Sequence, residues 1–403
     1  MKSNTAQAAT AVQPTTTNDQ CNGHSVYKPG LEGVVAAETA LSHVDGQKGE
    51  LLIGGYRLEE LAANATFEEV VYLLWHGSLP QQSALETFEK SLATQRALPP
   101  AVVQLLRAAA KEQIPTMTAL RMAAGTLDID SANANDNSDP TAQAQVILAR
   151  LPTIVATYWR LATGQEPFAP NPTLNHAANY LYMLTGQSPT SAQVRGLETY
   201  LNTVIDHGLN ASTFAARVII ATATDLTSAV VGALGALKGP LHGGAPGPAL
   251  DMVFDIGQPA HAESYLRAKL ASGERLMGFG HRIYRVRDPR AEVLAQEAAR
   301  MFQADGDMAL YELAKTVEAK AVALLAEYKP GRNLQTNVEF YTALLLHGLG
   351  LETDLFTPTF AISRAAGWLA HCFEQQATGR LIRPQSHYIG ERKGGWLPIE
   401  QRN

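Results

Sequence analysis

The residues best equipped for chemistry fall in the stretch 276–290, LMGFGHRIYRVRDPR. His281 follows Gly278-Phe279-Gly280, and Arg282, Arg285, Arg287 and Arg290 surround a single acid, Asp288. Glycines let a backbone pass close to a ligand because no Cβ stands in the way. Clustered guanidiniums make a local cationic patch suited to carboxylate or phosphate. The same residues would also serve as a surface turn with solvated arginines ahead of a helix. The other segments decide between the two.

His242 lies in LKGPLHGGAPGP (237–248), at the end of an apolar helical pattern. Its glycines allow the imidazole to approach a ligand, but a turn histidine beside a helix C-cap fits equally well. No strand precedes the segment and G-K-[ST] is missing, so it is neither a Rossmann nor a Walker loop. His207, in IDHGLNASTFAAR (205–217), sits at a junction of two helical patterns, where a histidine is often structural. Glu339, in TNVEFYTALLL (336–346), stands near the start of an apolar helix, where the macrodipole favours an ionised carboxylate.

Arg364 falls inside the apolar stretch FAISRAAGWLAHCFEQ (360–375). A lone cation is costly to bury, so it either snorkels or has an anionic partner. Arg383, in LIRPQSHYIG (381–390), is flanked by apolar residues and fixed by Pro384. Three histidines and a carboxylate also suggest a metal. No pair has i,i+4 or H-E-x-x-H spacing, however, and no metal site is expected. Nucleophilic catalysis lacks both a G-x-S-x-G and a suitably placed cysteine.

These side chains must be positioned by helices. Thr66 and Glu69 read as a capping box for FEEVVYLLWHG. Helical periodicity follows at 83–96, 101–112, 116–127, 141–162 (broken at Pro152), 174–185, 191–206 and 213–237. It returns at 290–303, 308–328, 338–348 and 362–378. Short β-branched runs around Asp45-Gly46 predict one small antiparallel ribbon between 33 and 56. Residues 1–25 carry no apolar period and read as a mobile tail, and 131–140 as a polar loop. With no strand–helix alternation, the fold class is all-α with a small N-terminal β ribbon.

A chain of 403 residues can bury a large core. Thirty-two basic against 38 acidic residues give a net charge of −6, which removes the electrostatic term that drives nucleic-acid binding. Only Cys21 and Cys372 are present, so no disulfide framework follows and a reducing, cytoplasmic setting is expected. No apolar run is long enough for a membrane span, and the N-terminus lacks a signal-peptide core.

Taken in order, IDHGLNASTF, KGPLHGGAPG, MGFGHRIYRVRDPR, NVEFYTA, ISRAAGWLAH and LIRPQSHYIG resemble the citrate synthase family. The likeness extends back through DGQKGELLIGGYRLEELA, TFEEVVYLLWHGSLP and MTALRMAAG, and the length resembles the shorter form of the family rather than the NADH-regulated one. It implies a helical homodimer, with a large domain (26–241 plus 345–403), a small domain (242–344) and a cleft between them. The implied reaction condenses acetyl-CoA with oxaloacetate and hydrolyses the thioester to citrate and CoA, with no permanently bound cofactor. His242 resembles the donor to the enolising thioester, and His281 the donor to the oxaloacetate carbonyl. His207 resembles a further oxaloacetate ligand. Arg290, Arg364 and Arg383 resemble the carboxylate clamps, with Arg383 supplied across the dimer interface. The loop from Leu276 through Gly278 to Gly280 resembles the adenine-recognition loop, and Arg285 a phosphate contact.

Two positions depart from the family pattern. Glu339 replaces the usual aspartate base, adding a methylene that displaces the carboxylate by roughly 1.5 Å. Ile53-Gly54 stands where a tyrosine-arginine pair is common. The resemblance is shared by 2-methylcitrate synthase, which uses propionyl-CoA, and Glu339 leaves room for a weakly active or non-catalytic paralogue.

Overall fold

In the computed structural model the capping box at Thr66 is formed. The Thr66 hydroxyl accepts from the Glu69 N–H at 3.2 Å, and the Glu69 carboxylate accepts from the Thr66 N–H at 2.7 Å. The structure describes residues 27–127, 129, 139–243, 246–305, 307–391 and 395–402. The expected tail at 1–25, most of the loop at 131–140 and Gly244 of the His242 segment lie outside them. The chain divides into two units, one of Thr39–Arg383 and one of Met1–Glu38 with Pro384–Asn403. In the smaller unit, short 3-10 turns form at Pro29–Leu31 and Ile399–Gln401, and the Arg402 guanidinium lies 5.4 Å from the Trp396 ring centre.

The large unit begins with the ribbon: β1 (Ser42–Asp45), β2 (Glu50–Ile53) and β3 (Tyr56–Arg57), antiparallel in that order. Asp45 Oδ1 accepts from the Gln47 and Lys48 N–H groups, both at 3.0 Å, which is how a short acid stabilises a tight turn. The tip of that turn serves the site, because the Gly46 carbonyl accepts from the Arg285 N–H at 2.8 Å. At Gly54, one of the two departures, φ is +55° and a Cβ would stand 2.7 Å from Leu73. Packing leaves no room there for an arginine.

The helices are α1 (Leu58–Asn64), α2 (Phe67–His76), α3 (Gln82–Thr94), α4 (Pro100–Lys111), α5 (Thr116–Ala124) and α6 (Pro140–Ala162). Then come α7 (His176–Thr185), α8 (Ser191–Val204), α9 (Ala211–Ile220), α10 (Leu226–Leu237), α11 (Pro246–Ile256) and α12 (Ala262–Ala271). Last are α13 (Pro289–Asp305), α14 (Met308–Tyr328), α15 (Val338–Gly348) and α16 (Phe356–Thr378). The all-α class with one small sheet is what the sequence predicts. Buried α16 packs on α2, α6, α8, α9 and α10, and α13 packs between α8 and α15.

Helices α1, α11 and α12 have no counterpart in the sequence pattern, and three further details differ from it, each for a local reason. The helix α6 runs unbroken through Pro152, because it is buried along most of its length and packs against α4, α5, α7 and α16. That packing outweighs a proline cost of about 3 kcal/mol. The apolar run 213–237 is two helices, not one. Ala223 turns at φ +64°, and Asp225 caps α10 by accepting from the Ser228 N–H at 2.7 Å. The last helix starts at Phe356, with Pro358 in its first turn, where a missing N–H costs nothing.

One buried residue outside the site carries its own prediction. His176 is 1% exposed, both its ring nitrogens lack a hydrogen-bond partner among the described residues, and its ring lies 4.9 Å from Phe67. Burial, reinforced by Arg96, holds its pKa down to about 3. The folded chain therefore keeps it neutral, whereas the unfolded chain protonates it below about pH 6.5. The unfolded state takes up the extra proton, so this histidine erodes stability as pH falls from 6.5 towards 3. His176→Phe should match the wild type near pH 7.5 and exceed it by about 2 kcal/mol more at pH 5. Urea unfolding at both pH values measures this, and a gap independent of pH would contradict it.

Candidate active site

Asp288 and Arg290 start α13. The acid accepts from the Arg290 N–H at 3.0 Å, from Nε at 3.0 Å and from Nη2 at 2.8 Å. Both are buried, and this fork fixes one edge of the guanidinium. Arg290 Nη2 also lies 3.2 Å from His281 Nε2. The Ile283 and Tyr284 N–H groups donate to His281 Nδ1 at 3.1 and 3.2 Å. Because Nδ1 accepts, the neutral ring carries its proton on Nε2. Two donors, Nε2–H and Nη2–H, therefore stand side by side with no acceptor between them. Burial and the Arg290 charge hold the His281 pKa down to about 4, so it remains a neutral donor at ordinary pH.

His207 Nε2 lies 3.1 Å from the Tyr284 hydroxyl, and its ring centre is 5.8 Å from that of His281. Burial, then Arg290 and Arg364, keep His207 well below the usual imidazole range. The turn that carries it is anchored from beneath. Asp206, fully buried, accepts from the Ser42 hydroxyl and, at 3.2 Å, from His371 Nε2. His371 Nδ1 in turn accepts from Arg217 Nη1 at 2.8 Å, and Arg217 pairs with Glu374 at 2.6 Å. Burial opposes the charge on Asp206, but His371, Arg364 and Ser42 together hold it below the ordinary carboxylate range.

His242 is fixed from α9. The Ser212 N–H donates to His242 Nε2 at 3.4 Å, and Ser212 Oγ lies 2.8 Å from the same atom. Ser212 Oγ is itself held by Trp368 Nε1–H at 3.1 Å. The ring proton is therefore on Nδ1, which has no partner among the described residues. Burial and the Arg364 charge lower the His242 pKa, so this ring too is a neutral donor.

Arg364, on α16, is 2% exposed. Its Nε donates to the Val204 carbonyl at 2.6 Å, and its guanidinium lies 4.5 Å from the Phe360 ring centre. Among the described residues no carboxylate is within ion-pair distance of it. Burial and the Arg290 charge bring its pKa down to about 10, against the pull of Asp206. A buried cation held this way has the chemistry to take an anionic counter-ion.

Glu339 is the second residue of α15. Asn337 caps the helix by accepting from the Glu339 N–H at 3.0 Å. Burial raises the Glu339 pKa against the opposing Arg290 charge, which makes it a stronger base than a free glutamate. The glycine loop is tied to the same helix start, since the Gly278 carbonyl accepts from the Asn337 N–H at 3.0 Å. Gly278 has φ +85°, and a Cβ there would stand 2.9 Å from Phe340. The glycine is thus required by its own backbone and by α15, a reason the sequence pattern does not reveal.

Hydrogen bonds and ring contacts join His207, Tyr284, His281, Arg290 and Asp288, and charge interactions extend the group to Arg364, Glu339 and His242. Arg383 is exposed, makes no hydrogen bond or ion pair among the described residues and is not brought into this group. Arg285 is exposed and Leu276 buried. The sequence patterns passed over Ser212, Asp206, Tyr284 and the role of Asp288. Among the described residues no group of three or more His, Cys, Asp or Glu could hold a metal ion.

The family model for the citrate synthase C-terminal domain matches residues 30–385. The chain belongs to the citrate synthase family. Citrate synthase of Haloferax volcanii is 41% identical over 93% of this chain and 99% of its own. A 2-methylcitrate synthase of Mycobacterium tuberculosis is 38% identical over 91% of each. Citrate synthase of Thermoplasma acidophilum, solved as a ternary complex with carboxymethyl coenzyme A and oxaloacetate, superposes with a TM-score of 0.81 at 29% identity, covering 93% of this chain and 99% of that one.

Proposed function

We propose that the chain is a condensing acyltransferase that joins the methyl carbon of acetyl-CoA to the ketone carbon of oxaloacetate, then hydrolyses the thioester to citrate and CoA. The observation that carries this reading is the pair of neutral imidazoles, His242 with its proton on Nδ1 and His281 with its proton on Nε2, grouped with a carboxylate of raised basicity. The coenzyme A thioester is a co-substrate, and no permanent cofactor is required.

A thioester methyl is a very weak acid, so a base alone cannot hold a useful concentration of carbanion. Glu339 removes the proton while His242 Nδ1–H donates to the developing enolate oxygen, which lowers the barrier without a metal. His281 Nε2–H and Arg290 Nη2–H together polarise the ketone, and His281 supplies a proton as that oxygen becomes the citrate hydroxyl. The new carbon–carbon bond uses the enol electron pair. Water then cleaves the thioester, and the thiol leaves with a proton. Arg290, through Nη1, which Asp288 does not engage, and Arg364 hold the two substrate carboxylates, which fixes the face that is attacked.

By the family resemblance, Arg383 reaches the site of a second subunit in a homodimer. Residues 242–344 close as a small domain over bound oxaloacetate, and Leu276, Gly278, Gly280 and Arg285 receive the CoA. The buried, free Cys372 suits a reducing cytoplasm, and among the described residues no helix is long and apolar enough to cross a membrane.

Measuring kcat/KM with acetyl-CoA and propionyl-CoA tests the reading. Acetyl-CoA should be preferred by about tenfold, since a pocket distinguishes one methylene by about 1–3 kcal/mol. A clear propionyl preference would make the protein a 2-methylcitrate synthase, in keeping with its 38% identity to the mycobacterial enzyme.

A further inference from the structure

We infer that Asp288 is a positioning residue that couples the oxaloacetate-binding arginine to the helix carrying the base. This rests on the reading of Arg290 as a carboxylate clamp and Glu339 as the base. The sequence shows Asp288 only as an acid among arginines. In the structure its two oxygens are shared between two parts of the site. Oδ1 accepts from the Arg290 N–H and Nε, both at 3.0 Å. Oδ2 accepts from Arg290 Nη2 at 2.8 Å and from the Val338 N–H at 3.2 Å. Val338 is the first residue of α15, so its N–H is one of the donors a helix start leaves without an internal partner. The residue is 1% exposed, and its own N–H donates to the Thr336 carbonyl at 3.4 Å.

The first turn of α15 is tied on its other side to the His281 loop. Asn337 Nδ2 donates to the Gly280 carbonyl at 2.8 Å, while the Asn337 side-chain oxygen caps the Glu339 N–H. The base therefore sits on a turn anchored to both groups that hold oxaloacetate, and one of those anchors is a single carboxylate oxygen. When the Arg290 guanidinium turns to meet a substrate carboxylate, Oδ2 must either move with it or hold it back. In both cases the position of Glu339 depends on Arg290. The charges are linked as well: Arg290 weakens Glu339 as a base, and Asp288, bonded to Arg290 and to the Val338 N–H, offsets that effect.

The test separates substrate binding from proton abstraction. Asp288→Asn keeps the shape, but an amide can accept on only one of its two heads, so an NH2 group faces either the Arg290 N–H and Nε or Arg290 Nη2 and the Val338 N–H together. Binding is read as the KM for oxaloacetate in thiol release. Abstraction is read as exchange of the acetyl-CoA methyl hydrogens into D2O, with a saturating four-carbon hydroxy-dicarboxylate that fills the clamps but offers no ketone. The variant should show KM raised at least tenfold and exchange slowed at least tenfold at saturation.

A raised KM with exchange intact means that Asp288 serves Arg290 alone, which overturns the coupling, as does an unchanged KM. Asp288→Glu, which keeps the charge but moves it outward by one methylene, gives a second measurement if the asparagine variant fails to fold. It should retain KM within about threefold and still lose at least tenfold in exchange, and normal exchange would overturn the inference. Wild-type protein that releases no thiol would overturn the proposed function, and this inference with it. Wild-type turnover alongside normal exchange in the variants would overturn this inference alone.

Discussion

Glu339→Gln should lower kcat by about a thousandfold while leaving oxaloacetate affinity within about threefold, because a general base contributes about 10²–10⁴ in rate. The amide keeps the shape and leaves Arg290 paired to Asp288, so the dicarboxylate site survives the change. Thiol release and oxaloacetate titration measure the two quantities, and turnover at the wild-type rate would place the base elsewhere. In the wild type, burial raises the Glu339 pKa, and the base works only when ionised. The rate should therefore fall as pH drops through a value above the ordinary glutamate range. Glu339→Asp is informative too. The Asn337 cap and the Asp288 bond to Val338 fix where α15 begins, so a shorter side chain falls short of the substrate. A misplacement near 1 Å can cost about a hundredfold.

Arg364→Met should raise the KM for oxaloacetate by about 10²–10³ with little effect on the KM for acetyl-CoA. Removing one partner of a buried charge pair costs about 2–5 kcal/mol, and about 1.4 kcal/mol is tenfold in affinity. Arg364→Lys should fare little better. A lysine cannot offer two parallel donors to a carboxylate, and it loses the Nε bond to the Val204 carbonyl. Steady-state kinetics with each substrate varied in turn measure this. Unchanged oxaloacetate affinity would mean that the buried guanidinium has another purpose.

What the sequence could reveal depended on how local the cause was. The capping box at Thr66 and the ends of α14 and α15 were legible because caps and apolar periodicity act within a few residues. The break before α10 was not, because a continuous apolar run hid the Asp225 cap. Arg364 showed itself by a conflict between charge and surroundings that can be read in one dimension. Asp288 and Ser212 did not. The Asp288 bond to Val338 spans 50 residues, and the Ser212 bond to His242 spans 30. No local pattern records either contact. Trp368 and Ser42 likewise reach the candidate site only through partners far along the chain.

The most direct test of the central claim is a coupled measurement of thiol release and citrate with wild-type protein, acetyl-CoA and saturating oxaloacetate. Convergence of His242 and Glu339 on the thioester, with His281 at the ketone, predicts one citrate for each thiol released, with no release when oxaloacetate is omitted. Protein that binds oxaloacetate yet releases no thiol would contradict it.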